Sequence, residues 1–92
     1  MKTISANTER YIFTGTCRAV TGVVAAVTSF LADRDCYICA LEQFDDESTQ
    51  KFFMRAVFRR QENAPSITKM TEEFATISDK FGMTWDFHRP AT

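Results

Sequence analysis

Glu42-Gln43-Phe44-Asp45-Asp46-Glu47-Ser48-Thr49-Gln50-Lys51-Phe52-Phe53-Met54-Arg55 is the stretch that decides the fold. Two strand-like runs flank a short acidic, polar turn. On the second run Phe52, Met54, Ala56 and Phe58 share one face, while Phe53, Arg55, Val57 and Arg59 share the other. That period-two alternation marks a half-buried strand. Asp45, Asp46 and Ser48 favour a turn because short polar side chains hydrogen-bond to nearby backbone groups. The stretch therefore predicts a β-hairpin at the centre of the chain.

Working outward, Arg10 to Cys17 alternates Tyr11, Phe13 and Gly15 against Ile12, Thr14 and Thr16, which predicts a first strand. Val23, Val27, Phe30 and Leu31 follow at helical spacing, with Val24 widening the stripe. Thr21 is placed to cap this helix, and Gly22 allows close backbone approach at its first turn. The helix should fade near Asp33-Arg34-Asp35. Cys36 to Asp45 is the second strand and Lys51 to Arg60 the third, broken by the loop Gln61 to Ser66, where Pro65 cannot donate to a sheet ladder. Ile67, Met70, Phe74, Ile77 and Phe81 step by three and four, and Gly82 sits where a left-handed C-terminal cap belongs. Trp85 and Phe87 alternate with Asp86 and His88 in a short last strand. The order strand, helix, strand, strand, helix, strand predicts an α+β, ferredoxin-like βαββαβ sandwich: a four-stranded antiparallel sheet with two helices on one face. Right-handed crossovers are expected to set the two helix-linked pairs side by side.

Ninety-two residues make one small domain. Eleven basic side chains face twelve acidic ones, so no overall basic field draws the chain to nucleic acid or to anionic lipid, and neither partner is expected. No apolar run approaches bilayer-spanning length. Met1 to Arg10 lacks the apolar middle of a secretory signal, so a cytoplasmic location with reduced cysteines is the expectation.

Ferredoxin-like sheets host many functions, so function must come from sites. Lys51-Phe52-Phe53-Met54-Arg55-Ala56-Val57-Phe58 loosely echoes the third-strand signature of an RNA-recognition motif, and Tyr11-Ile12-Phe13 its first. An RNA-binding module of this kind would use Phe53, Arg55 and Tyr11. The glycines that accompany stacking aromatics are replaced by Phe52 and Met54, which weighs against it.

Other stretches are more specific. Tyr11-Ile12-Phe13-Thr14-Gly15-Thr16-Cys17, Gly22-Val23-Val24-Ala25-Ala26-Val27, Phe30-Leu31-Ala32 and Cys36 to Ile38 resemble the N-terminal ACT domain of the formyltetrahydrofolate deformylases. So do Gln43-Phe44-Asp45-Asp46 followed by Phe52-Phe53-Met54-Arg55, and Phe81-Gly82-Met83-Thr84-Trp85 with His88. The resemblance implies an ACT domain over residues 10–88, with polar tails at 1–9 and 89–92. It implies a regulatory or dimerisation role beside a following formyltransferase-like domain, which carries the Asn, His and Asp that hydrolyse 10-formyltetrahydrofolate. These 92 residues lack that domain. The chain is expected to be non-catalytic as it stands, whether a piece of a longer protein or a free-standing paralogue. A homodimer through ACT domains is the expected assembly, with a catalytic domain or chain as a second partner.

ACT ligands sit at a dimer interface near the loop between the first strand and the first helix, which implies an amino acid or related carboxylate as ligand. The implied ligand-binding residues are Arg18, Thr21, Gly22, Val23, Tyr37 and Ile38. The logic is that exposed amides at a helix N-terminus attract a carboxylate, with Arg18 able to pair with it. The family pattern Cys-Pro-Asp-Arg-Pro-Gly across this loop is met only at Cys17 and Gly22, and the family Asn at the second strand is replaced by Tyr37. A free-standing ACT metabolite sensor is the alternative reading.

No metal or other cofactor is expected. Cys36-Tyr37-Ile38-Cys39 has redox spacing, but it enters a strand instead of opening a helix, and no second ligand pair completes a zinc site. Asp45-Asp46-Glu47 lacks the alternate spacing and glycine of a calcium loop. His88, with Asp86 on the same strand face, lacks the partners that position and tune a general base.

Overall fold

The structure, a computed structural model, describes residues 9–90, so the predicted tails lie outside it except for Glu9, Arg89 and Pro90. Six elements follow in the expected order: β1 Arg10–Arg18, α1 Val23–Asp33, β2 Cys36–Asp46, β3 Lys51–Arg60, α2 Ile67–Phe81 and β4 Thr84–His88. The strands form one antiparallel sheet in the order β2-β3-β1-β4. The helix-linked strands interleave instead of lying side by side. β3 sits between β1 and β2, and β1 between β3 and β4, because each crossover spans the strand that pairs with its starting strand.

The alternation read from the hairpin sets the two faces. Phe52, Met54, Ala56 and Phe58 are buried under the helices, while Phe53 and Arg55 between them are exposed. On β1 the helix face carries Phe13 and Cys17, both buried. The amphipathic stripe of α2 brings Met70 and Phe74 to zero exposure. Ring centroids of Phe13, Phe30 and Trp85 lie 5.1, 5.1 and 4.7 Å from that of Phe74, so one side chain touches β1, α1 and β4 together.

Local chemistry explains the ends of the helices. Ser66 caps α2, its Oγ accepting from the Lys69 amide at 3.1 Å. Gly82 ends it at φ 60°, as the sequence predicts. At the start of α1, however, Thr21 is not the cap. Gly22 takes that place at φ 97°, with no side-chain hydrogen bond to the first turn. The left-handed backbone there suits the one residue without a Cβ, and it leaves the first amides uncapped.

β2 holds one irregularity that the sequence reading lacks: its register with β3 shifts between Ile38 and Ala40, leaving Cys39 in a bulge. Strict alternation from Cys36 would send Ala40, Glu42 and Phe44 toward the helices. The extra residue reverses this, so that Leu41 and Gln43 pair with Ala56 and Met54 of the core face, and Phe44 pairs with outward-facing Phe53.

Truncating the central ring tests this packing. Phe74→Ala should destabilise the chain by about 3–5 kcal/mol, read as a lower urea midpoint at unchanged m. A cost below about 1 kcal/mol would show that the ring is not the keystone.

Candidate functional site

β1 ends at Arg18, and the following loop is tied down where the Ala19 amide donates to the Gln50 carbonyl of the hairpin turn at 3.0 Å. Two clefts result. One, of about 430 Å³, lies among Arg18, Asp45, Asp46 and Glu47. The other, of about 370 Å³, lies between the loop and the hairpin, lined by Val20, Thr21, Val24, Gln43, Asp45 and Phe52. It sits at the uncapped N-terminus of α1, with Asp45 across from it. Asp45, Gln43 and Phe52 were absent from the expected set. Their signal lies in the hairpin register, which carries the far end of β2 past the helix layer.

The six implied ligand residues do not converge in one copy of the chain. Arg18, Thr21 and Gly22 cluster at the loop, and Val23 adds only its amide, since its side chain is 2% exposed. Tyr37 pairs with Arg59, which pairs with Arg10, whereas Arg18 pairs with Lys51 at the other end of the same strands. Eight residues of strand separate the two ends, roughly 26 Å at 3.3 Å per residue. Tyr37 is on the open face, and Ile38 is half-buried against the core.

The three-residue platform of an RNA-recognition motif is not assembled either. Tyr11 pairs with Phe58 and stacks on its ring at 6.1 Å on the helix side, opposite to Phe53 and Arg55. Even and odd residues of β1 face opposite ways, so Tyr11 travels with Phe13. Partial burial, then a hydrogen bond to Glu9, raises its hydroxyl above the ordinary pKa of 10.

The remaining titratable groups are placed for structure. Asp46 Oδ1 accepts from the Ser48 amide at 3.1 Å and the Ser48 hydroxyl at 2.8 Å. Hydrogen bonds from Ser48 and Thr49 hold its carboxyl below the usual value, as in an ordinary turn. His88 Nδ1 lies 2.7 Å from Asp86 Oδ2 on an exposed strand. Among the described residues no three His, Cys, Asp or Glu side chains gather as a metal group would need, and no helix is long and apolar enough to cross a membrane. Cys36 is 6% exposed, and burial pushes its thiol up from 9.0 to about 11. Cys39, in the bulge, is half-buried and donates to the Tyr37 carbonyl at 3.8 Å. The two sulfurs thus occupy different environments.

A formyltetrahydrofolate deformylase from Corynebacterium sp. (strain P-1) is 33% identical to the chain over 76 residues, covering 83% of this chain and 27% of the relative. The crystal structure of formyltetrahydrofolate deformylase from Burkholderia mallei ATCC 23344 matches with a TM-score of 0.81 at 32% identity, over 88% of this chain and 28% of that one. An ACT domain protein from Streptococcus pneumoniae shares the fold, with a TM-score of 0.76 at 22% identity over 90% of this chain and 91% of that one. The chain resembles the ACT domain of the formyltetrahydrofolate deformylases. No protein-family model matches it. This ACT-like domain spans about a quarter of the length of the curated relative, 27%.

The buried thiol makes a test of the packing at the start of β2. The folded chain holds the Cys36 proton to about pH 11, whereas the unfolded chain releases it near 9.0. The unfolded state therefore binds fewer protons in that window, and stability falls as pH rises from about 9 to 11. Cys36→Ala should flatten that part of the curve of unfolding free energy against pH. An unchanged slope would place the thiol in contact with water.

Proposed function

We propose that this chain is an ACT-type regulatory and dimerisation domain of formyltetrahydrofolate deformylase type. It would serve a formyltransferase-like catalytic part, linked or separate, that hydrolyses 10-formyltetrahydrofolate to formate and tetrahydrofolate in cytoplasmic one-carbon metabolism and purine biosynthesis. The observation that carries the reading is the free edge of β2. Among the described residues the eleven of β2, Cys36–Asp46, bond to β3 on one side only, and Tyr37, Leu41 and Phe44 along them are 45%, 41% and 64% exposed. An edge of this length offers a row of backbone donors and acceptors to another strand. No proline interrupts it. A second copy supplies a matching edge and extends the sheet past these side chains without covering its open face.

Light scattering on the eluting peak of a size-exclusion column should give a dimer at micromolar concentration. The double variant Leu41→Lys, Phe44→Lys, which adds charge to both faces of the edge, should give a monomer that melts as cooperatively as the parent. A parent that runs as a strict monomer would sink the dimerisation role.

A second reading rests on the cleft between the loop and the hairpin. An amino-acid zwitterion matches its two ends, the carboxylate meeting the uncapped amides of α1 and the ammonium meeting Asp45. The excess of carboxylates over Arg18 in the neighbouring cleft disfavours a plain dianion. Thermal-shift measurements with glycine, serine, methionine and folates distinguish the cases. A rise with one amino acid, lost in Asp45→Asn, supports sensing, and no shift with any of them removes it.

A further inference from the structure

The register of the sheet separates charge in a way that composition conceals. On the face away from the helices, the central strands β1 and β3 present Arg10, Arg18, Lys51, Arg55 and Arg59, and no carboxylate. The carboxylates of that face stand on the edge strands, Glu42 and Asp46 on β2 and Asp86 on β4. Two more cations than carboxylates therefore share the open face, in a chain whose net charge is −1, so the remainder carries −3. The cationic stripe runs from Arg10 to Arg18, roughly 26 Å at strand spacing. Low overall charge and a basic face coexist because alternation sorts side chains by the parity of their positions.

Aromatic rings stand among these cations. Phe44 is 64% exposed, Tyr37 45% and Phe53 39%, and the Phe44 and Phe53 rings lie side by side with centroids 6.3 Å apart. Along β3 the outward order is Lys51, Phe53, Arg55, Val57, Arg59. Beside Phe53 a recess of about 260 Å³ is lined by Thr14, Thr16, Thr84 and Asp86. The Thr16 hydroxyl and Arg59 Nε are both enclosed without a hydrogen-bond partner among the described residues. Arg55 bonds to Glu42 at 2.9 Å, but both side chains are largely exposed. Such a pair is worth about 0–1 kcal/mol and yields readily to a phosphate.

We infer that the open face of the sheet binds single-stranded nucleic acid, the phosphates along the β1–β3 stripe and unstacked bases against Phe53 and Phe44. Cations that follow a backbone combined with exposed rings are what a single strand uses. A duplex keeps its bases stacked and cannot engage the rings, and an acidic polypeptide has no use for them. The threonine recess offers hydroxyls to base edges next to the stacking ring. The surface differs from the RNA-recognition pattern sought in the sequence, because Tyr11 is on the far side and Phe44 takes its place through the bulge in β2. It is also independent of the proposed dimer, since pairing at the β2 edge leaves the face uncovered.

Fluorescence anisotropy of a short labelled oligouridylate, titrated with the 92-residue chain at low salt, tests the inference. Binding should weaken about tenfold in Phe53→Ala, as expected for losing one base-stacking ring. Phe44→Ala, at a more exposed position, provides a second ring deletion whose fold is not at risk. In Arg55→Ala, Arg59→Ala the slope of log affinity against log salt should flatten by about 1.4, two contacts at about 0.7 each. Absence of binding at low salt overturns the proposal. So does binding that both ring deletions leave unchanged and that labelled polyglutamate matches, which would mark a site for acidic polymers.

Discussion

Phe74 is the contact on which the rest depends. A four-stranded sheet has two faces, and two helices can cover only one, so the fold needs a residue that fixes both helices to the same side. Phe74 does this from α2 by meeting Phe30 of α1, Phe13 of the central strand β1 and Trp85 of the edge strand β4. At the periphery Arg34 Nε bonds Glu73 at 2.9 Å, and its guanidinium lies 3.7 Å over the Phe30 ring. That ion pair is partly in water and contributes about 0–1 kcal/mol, whereas burying one phenyl ring contributes about 1.5–3 kcal/mol. The ring sets the packing, and the ion pair adds a contact between the helices at their rim.

What the sequence made legible follows from how local each signal is. The alternation of Phe52 to Arg59 and the three-and-four spacing of Ile67 to Phe81 are complete within one element, so the faces of β3 and α2 could be read directly. The left-handed cap at Gly82 is equally local. The first cap was misread because Thr21 has the right chemistry, yet the backbone turns into the helix one residue later, at a glycine. The bulge at Cys39 leaves no mark in its own neighbourhood, since only pairing with β3 shows that one residue is extra. The interleaving of helix-linked strands is likewise a property of the whole sheet.

The candidate site was legible in part for the same reason. Arg18, Thr21 and Gly22 were found because they adjoin one another in sequence. Tyr37 and Ile38 join them only through likeness to the deformylase ACT domain, and within one copy the strand direction sets them at the opposite end. Asp45 was read as turn punctuation, yet its position on the helix side of the overhanging hairpin brings it to the loop cleft. The balance of charges over the whole chain hid the segregation across the sheet, because a total has no direction and a pleated strand does.

The bulge at Cys39 gives β2 two grammars. Before it, even-numbered positions belong to the interior, as Cys36 and Ile38 do; after it, odd-numbered positions turn toward the helix side, as Leu41 and Gln43 do. A substitution that is harmless at one end of the strand is thus disruptive at the same parity on the other. Losing Cys39 would close the bulge and leave Leu41 and Gln43 on the helix side, whereas drawing Cys39 into regular pairing would invert the distal strand and turn Glu42 and Phe44 inward. The two ends of β2 can therefore diverge in evolution as if they were separate strands. The proximal end answers to the core, and the distal end to whatever meets the surface.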